Sequence, residues 1–399
     1  LGNVKFRLAR NLIKEAAEKY QGGIPRAIGP FTFLKMSKGI APEAFAQKLH
    51  ELAAVYAAAL QGVKDVHLDE PGFVLELSAD EINAIKAAYA MMAASGCRMH
   101  VFTYYDSVDW LGDLYTLPVA SLGLDFIHGR KNLSYLEQHG FPAGKTLVAG
   151  VVDGRNVWRT DPAQVARVLK ALNVPDERLM ISNACPLMHV PITVKDQELP
   201  SALVPQLAFA EEKLYELKLI ADAYAGKNIG AWKQASTFGR NGKVQARVAG
   251  LTEKDFARLP AYAERVKVQN ARLKLLLFPT TTIGSFPQTP DVRAARAQHA
   301  KGTLDDAGYE QFVHAKMKEL VAYQEELGLD VLVHGEFERS DMVEFFAQQL
   351  DGIATTRNGW ILSYGTRSYR PSIIFGDVYR PAPMTVKEVA YAQSLTKKP

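Results

Sequence analysis

The sequence predicts an α/β fold built of parallel β/α units, and three observations carry that prediction. Between residues 20 and 190, short apolar runs alternate with amphipathic helical stretches, the pattern of strands joined by crossover helices. Polar, Gly and Pro residues cluster directly after those runs, at the strand ends where a (β/α)8 barrel carries its site-forming loops. A second series of the same kind opens near residue 278. A chain of 399 residues exceeds what one hydrophobic core usually organises, so two domains are expected.

The chain starts at Leu1 inside an apparently helical stretch, "VKFRLARNLIKEAAEKY" at 4–20, and is expected to be a fragment. Six candidate strands follow: "RAIGPFTF" (26–33), "VKDVHLDEP" (63–71), "CRMHVFTYYD" (97–106), "GLDFIHG" (123–129), "TLVAGVVDG" (146–154) and "RLMISNAC" (178–185). Six rather than eight fits a barrel whose first two units precede Leu1; unnoticed weak strands give the same count. Between the first two strands, Phe45, Leu49, Leu52, Tyr56 and Leu60 recur at helical spacing, and Gly62 supplies the left-handed stop. A long amphipathic helix is expected over 205–226, with Leu207, Leu214, Leu217 and Ile220 apolar. Lys227, Lys233, Arg240, Lys243 and Arg247 then fall in an acid-free, glycine-rich stretch, either a solvated connector or a place that attracts an anionic tail. Another helix begins near Thr252, with Asp255 in the capping-box position, and runs to about Leu275 with a kink at Pro260.

"FPTTTIGSFPQTP" (278–290) starts the second series, with Thr280 to Ser285 expected as a strand. A helix over Tyr309–Leu327 presents Phe312, Lys316, Leu320 and Tyr323 on one side and stops at Gly328, before the apolar run "LDVLVHGE". "SLGLDFIHG" at 121 and "LGLDVLVHGE" at 327 echo each other. That echo hints at duplication, although any two β/α units share a glycine stop and an apolar strand.

Composition excludes several classes. Hydrophobic residues make up 48% and charged residues 23%, with a net charge of +4, ordinary values for a folded protein. No Lys/Arg block interleaved with aromatics marks a nucleic-acid surface. No apolar run is long enough to span a bilayer, and no signal segment opens the sequence. The two cysteines, Cys97 and Cys185, fit a reducing, cytoplasmic setting.

Gly284 lets the backbone of Ile283 to Ser285 approach a ligand, and strand-end amides there suit a carboxylate. Glu336 ends the next apolar run. If the two strands are neighbours, an amide loop that binds a carboxylate lies beside an acid that binds an ammonium, the complement of an amino-acid zwitterion. Arg367, in "SYGTRSYRP", adds a planar fork for another carboxylate.

Taken in order, "PTTTIGSFPQT", "GLDVLVHGEFERSDMVEFF", "NGWILSYGTRSYRP", "GDVYRPAPMTV" and "YAQSLT" resemble the cobalamin-independent methionine synthase family. "IGPFTFLK", "LDEPGFVLEL", "GRNVWRTD" and "SNACPLMHVP" resemble its N-terminal barrel, so the resemblance spans essentially the whole chain. It implies two face-to-face TIM-type (β/α)8 barrels, both incomplete here and joined by a helical linker. The expected division is 1–204 for the end of the N-terminal barrel, 205–277 for the linker, and 278–399 for the start of the catalytic barrel. The implied reaction moves a methyl group from 5-methyltetrahydropteroylpolyglutamate to homocysteine, giving methionine, in a monomeric enzyme. By position, Ile283, Gly284, Ser285 and Glu336 would bind homocysteine, and Arg367 and Ser368 the methyl-folate. Some members carry Cys at the Ser368 position, which favours a backbone contact there.

The chemistry needs a thiol of pKa about 8.5 to ionise and a poor amine leaving group to be protonated. The resemblance implies zinc for the first step, held by His, Cys, Glu and Cys, and a His donor for the second. All are expected C-terminal to Pro399, and further folate contacts before Leu1. This chain alone is therefore expected to hold no metal and no catalytic residue and to be inactive. The alternative is a non-catalytic scaffold or ligand-binding remnant.

Cys97, His100, Cys185 and His189 are another candidate set for zinc. Cys97 and His100, three apart on one strand, face opposite sides. Phe102 stands where the catalytic copy reads the Cys of His-x-Cys, so the pattern looks decayed, and Cys185 reads as a buried thiol or a vestigial ligand. His67, His128 and His334 are site residues or satisfied strand-end histidines. Asp69 and Glu70 form an acid/base pair or accept hydrogen bonds from loop amides.

Overall fold

The computed structural model describes residues 5–20, 22–230 and 239–399. They form two compact units, one comprising residues 1–195 with 206–234, the other 196–205 with 235–399.

The first unit is organised on one parallel sheet of six strands in sequence order, β1 (Arg26–Ile28), β2 (Asp65–Asp69), β3 (Arg98–Phe102), β4 (Ser121–Asp125), β5 (Thr146–Val152) and β6 (Leu179–Asn183). Helices cross between them, and Leu68, Val101, Leu122, Leu124, Leu147 and Ala149 are buried in one continuous core. Each expected strand segment contains a strand, but the first is cut short. Pro30 occupies the first turn of a helix, Pro30–Met36, capped by Gly29, because its fixed φ and missing N–H suit that position. Helix Phe45–Ala59 stops as expected, with Gly62 at φ +73°.

Gly150 on β5 marks how closely the strands pack. A Cβ there would lie 2.8 Å from both the Ala184 Cα and the Leu124 carbonyl oxygen, backbone atoms that cannot rotate aside. Gly150→Ala is expected to destabilise the first unit by about 1–3 kcal/mol. A urea midpoint unchanged from the parent would refute this reading.

The helix expected over 205–226 runs from Ala210 to Tyr224 and packs on β5, β6 and helix Pro162–Ala171. Its buried face differs from the expected one. Leu214 is 55% exposed, whereas Lys213 and Glu216 are buried with Ile220. Lys213 Nζ donates to the Trp158 carbonyl at 3.1 Å, and Glu216 accepts from the Thr160 amide at 2.9 Å. The two charged side chains thus tie down the loop after β5. Lys227 pairs with Asp222, Lys243 and Arg247 fall in helix Gly242–Ala249, and Lys233 lies outside the described residues.

In the second unit the helix expected from Thr252 to Leu275 is broken. The Thr252/Asp255 capping box forms but starts only a short 3-10 turn, Glu253–Phe256, and a separate helix spans Tyr262–Leu273; Pro260 falls in the gap, and a proline cannot continue a helix. Helix Asp306–Glu326 buries Val313, Met317 and Leu320 against Val292 and Phe337, and Val321 is buried as well. Of the expected stripe Leu320 is core and Phe312, partly buried, packs against it, whereas Lys316 pairs with Asp291 and Tyr323 is exposed. The strands expected at 280–285 and 329–336 reduce to one parallel bridge, Ser285 to Gly335. The Val331 amide also bonds Thr280 O across the two segments, but beyond it other groups take the backbone sites a ladder would use: Leu332 N bonds Pro399 O, and the Gln324 side chain takes both Val333 N and Val333 O. Strands Asp351–Ala354 and Ile373–Tyr379 pair antiparallel, as do Ile361–Leu362 and Ser368–Tyr369. Among the described residues, no helix is long and apolar enough to cross a membrane.

Candidate functional site

The bridge between Ser285 and Gly335, reinforced by the Phe286 amide donating to Gly335 O at 3.0 Å, sets the Ile283–Ser285 loop beside the turn that begins at Glu336. Upstream, Asp330 Oδ2 accepts from both the amide and the hydroxyl of Thr280 at 2.8 Å, which fixes the same register. Gly284 has φ +115°, and a Cβ on it would come within 3.0 Å of Glu336 Oε1. The loop and the carboxylate are therefore neighbours. Gly284 and Glu336 line a cavity of about 330 Å³ with His334, Val389, Thr396 and Lys398. Ile283 is 93% exposed, and Ser285 is also exposed.

Glu336 is not a free acid. Arg339 Nε donates to its Oε2 at 3.0 Å, and Arg339 Nη2 pairs with Oε1. The sequence reading missed Arg339; the available signal was a cation three residues beyond the acid in "GEFER", close enough to meet it if the chain turns. His334 Nε2 pairs with Glu338 Oε1 at 3.2 Å. Burial works to raise the Glu338 carboxyl, but the bond from His334 and a backbone bond outweigh it and hold the group below its ordinary range.

Arg367 and Ser368 sit apart from that cavity, on the hairpin of Ile361–Leu362 and Ser368–Tyr369. Arg367 Nη2 reaches Asp341 Oδ2 at 3.3 Å, and its side chain is otherwise exposed. Asp341 in turn caps helix Met342–Ala347 through the amides of Val343 and Glu344. The next cation, Arg370, pairs with Glu344, with its guanidinium carbon 4.9 Å from the Trp360 ring centroid.

In the first unit the candidate groups are engaged in structure. Glu70 is fully buried and accepts from the Thr32 amide at 2.8 Å, the Phe31 amide at 3.2 Å and the Tyr89 hydroxyl at 2.9 Å. Asp69 accepts from Arg26 Nη2 at 3.0 Å and pairs with His67 Nε2 at 3.2 Å. Burial pushes Asp69 up, but the bonds from His67 and Arg26 prevail and leave it below its ordinary value. His67 also stacks on Phe102 at 3.8 Å. His100 bonds Ser121 and Asp65, and His128 bonds Asp125.

Cys97 and Cys185 are buried thiols, pushed by burial up to about 11 and about 12. His189 bonds the Tyr105 hydroxyl at 2.7 Å. Cys97, His100, Cys185 and His189 are not brought together: among the described residues no group of three or more His, Cys, Asp or Glu side chains is arranged to hold a metal. No donor set among the described residues fits zinc.

Comparison with known proteins bears on the same segments. Residues 3–175 match the family model described as the N-terminal domain of cobalamin-independent synthase, and residues 278–399 match its catalytic domain. A 5-methyltetrahydropteroyltriglutamate–homocysteine methyltransferase of Thermotoga petrophila is 47% identical over 387 residues, covering 94% of this chain and 52% of the relative. A protein of the same name from Streptococcus gordonii is 42% identical over 405 residues, covering 97% of this chain and 54% of the relative. The solved B12-independent methionine synthase of Shewanella sp. W3-18-1 aligns over 50% of this chain and 61% of its own, at 18% identity and a TM-score of 0.37, too loosely to carry an argument. The chain spans about half the length of the curated relatives it matches. With both family domains found in order and that identity sustained across nearly every residue, the chain belongs to the cobalamin-independent methionine synthase family.

Proposed function

We propose that the protein carrying this sequence transfers a methyl group from 5-methyltetrahydropteroylpolyglutamate to the thiol of homocysteine, giving methionine. The observation that carries the reading is the juxtaposition of Gly284 with Glu336, where an amide loop open to a carboxylate adjoins an acid suited to an ammonium. The relatives named for this reaction support it. Ile283, Gly284 and Ser285 would hold the α-carboxylate of homocysteine, and Glu336 its ammonium. Arg367 and Ser368 would meet the folate, Arg367 exchanging its long bond to Asp341 for a ligand carboxylate.

The wider proposal is two (β/α)8 barrels, with 1–204 in the first, 278–399 in the second and 205–277 linking them, in a monomeric cytoplasmic enzyme. Zinc would lower the thiol pKa when bound; its donors are proposed to lie outside residues 1–399. What this chain contributes is binding and orientation of the amino-acid end of the acceptor.

The test is Glu336→Gln in the intact protein. The substitution keeps shape and removes a charge-assisted bond worth about 1.5–3 kcal/mol. Homocysteine affinity is expected to fall about ten- to a hundredfold, with folate affinity near that of the parent. Methionine formation from the two substrates is followed alongside. If the variant weakens folate and leaves homocysteine untouched, the loop has been assigned to the wrong ligand.

A further inference from the structure

We infer that Arg339 is a positioning residue for substrate binding: it holds the Glu336 carboxylate in the orientation that faces Gly284. The inference rests on the proposed homocysteine reading of that pair. Glu336 has φ +58°, a left-handed conformation unusual for a residue with a side chain. The turn that imposes it is pinned from other elements at three successive carbonyls. Arg296 Nη2 donates to Phe337 O and to Arg339 O, each at 2.9 Å, Gln288 Nε2 donates to Arg339 O at 3.3 Å, and Tyr309 Oη donates to Glu338 O at 3.4 Å. The backbone thus fixes where the Glu336 side chain begins.

Arg339 fixes where it ends. Its fork engages both carboxylate oxygens, Nε on Oε2 and Nη2 on Oε1, so the carboxylate cannot rotate about its terminal bond without breaking a contact. The guanidinium carbon lies 5.4 Å from the Phe346 ring centroid, and the side chains of Arg339 and Glu336 are only 11% and 19% exposed. An ionised carboxylate offers about four lone-pair sites. Two serve Arg339, which leaves acceptor capacity for an ammonium on the side where Oε1 approaches Gly284. Lysine in place of Arg339 would supply charge without the planar fork.

Calorimetric titration of the intact protein with homocysteine and, separately, with the methyl-folate tests this in four variants: Arg339→Ala, Arg339→Lys, Glu336→Gln and the double Glu336→Gln/Arg339→Ala. Arg339→Ala is expected to weaken homocysteine about tenfold and leave folate unchanged, with Arg339→Lys intermediate. The double variant should bind no worse than Glu336→Gln alone, since Arg339 acts only through Glu336. Losses that multiply in the double variant, or an equal loss for both ligands, would overturn the positioning role. So would homocysteine affinity unchanged in Arg339→Ala while Glu336→Gln is weakened, a result that leaves the homocysteine reading standing. No effect of Glu336→Gln sinks that reading, and this inference with it.

Discussion

Gly284→Val is expected to lower homocysteine affinity by about a hundredfold or more, the largest loss from any single change at the candidate site. Two costs combine. At φ +115° a residue with a Cβ is strained, by about 1–3 kcal/mol. The Cβ would also sit 3.0 Å from Glu336 Oε1, and Glu336 cannot swing away while Arg339 holds both its oxygens. Valine's two methyls extend further into the space through which a ligand carboxylate would reach the loop amides. The free loop relieves strain and clash by leaving the conformation a ligand needs, so the cost returns on binding, and at about 1.4 kcal/mol per tenfold a cost of about 3 kcal/mol lowers affinity by about two orders of magnitude. Gly284→Ala, with the strain but no branching, is expected to lose about tenfold. Titration with homocysteine and with folate checks both variants, and a thermal scan shows whether the second unit still folds. A folded Gly284→Val protein that binds homocysteine like the parent would mean that the ligand never approaches this backbone.

The contrast between the two units shows which physics a sequence exposes. The six strands of the first unit were legible because parallel strands covered on both faces are apolar runs closed by Gly, Pro or polar residues. The first segment gave only Arg26–Ile28, because Pro30 prefers a helix start. In the second unit the apolar runs at 280–285 and 329–336 looked the same and yet form a single bridge. There Gln324, from a helix, supplies hydrogen bonds to Val333 that a strand partner would have supplied. Such long-range side-chain competition leaves no periodic trace.

At the site, Gly284 and Glu336 stood out because a glycine and an acid closed apolar runs. Arg339 did not, because its meeting with Glu336 depends on Glu336 itself taking a left-handed conformation at the start of the turn. Lys213 and Glu216 were equally hidden. Their charge points to solvent, yet they stand seven and four residues before Ile220 and so share its buried face, where a loop carbonyl and a loop amide satisfy them.

Glu70 carries the second large effect, on stability rather than binding. Burial raises its carboxyl from an ordinary 4.5 to about 7, against the opposing hydrogen bonds of Thr32, Tyr89 and Phe31. The folded state therefore holds this proton more tightly than the unfolded chain does. Its contribution to stability is fully present below about pH 4.5 and is lost as pH rises through about 7. For a fully buried group that difference is worth about 3 kcal/mol. In Glu70→Gln the proton linkage disappears, while the amide still fills the space at the start of helix Pro30–Met36. One of the Phe31 and Thr32 amides loses its acceptor in the variant, a constant cost that does not vary with pH. The diagnostic is the difference between the parent and Glu70→Gln in urea unfolding, followed by tryptophan fluorescence from pH 4.5 to 8. The parent is expected to lose about 3 kcal/mol relative to the variant across that range, most of it between about pH 5 and 7.5. Asp69, held below its ordinary value, gains or loses stability only in more acidic solution and cancels in the difference. Parallel curves would mean that Glu70 keeps its charge in the folded state, with the amides of Phe31 and Thr32 outweighing burial.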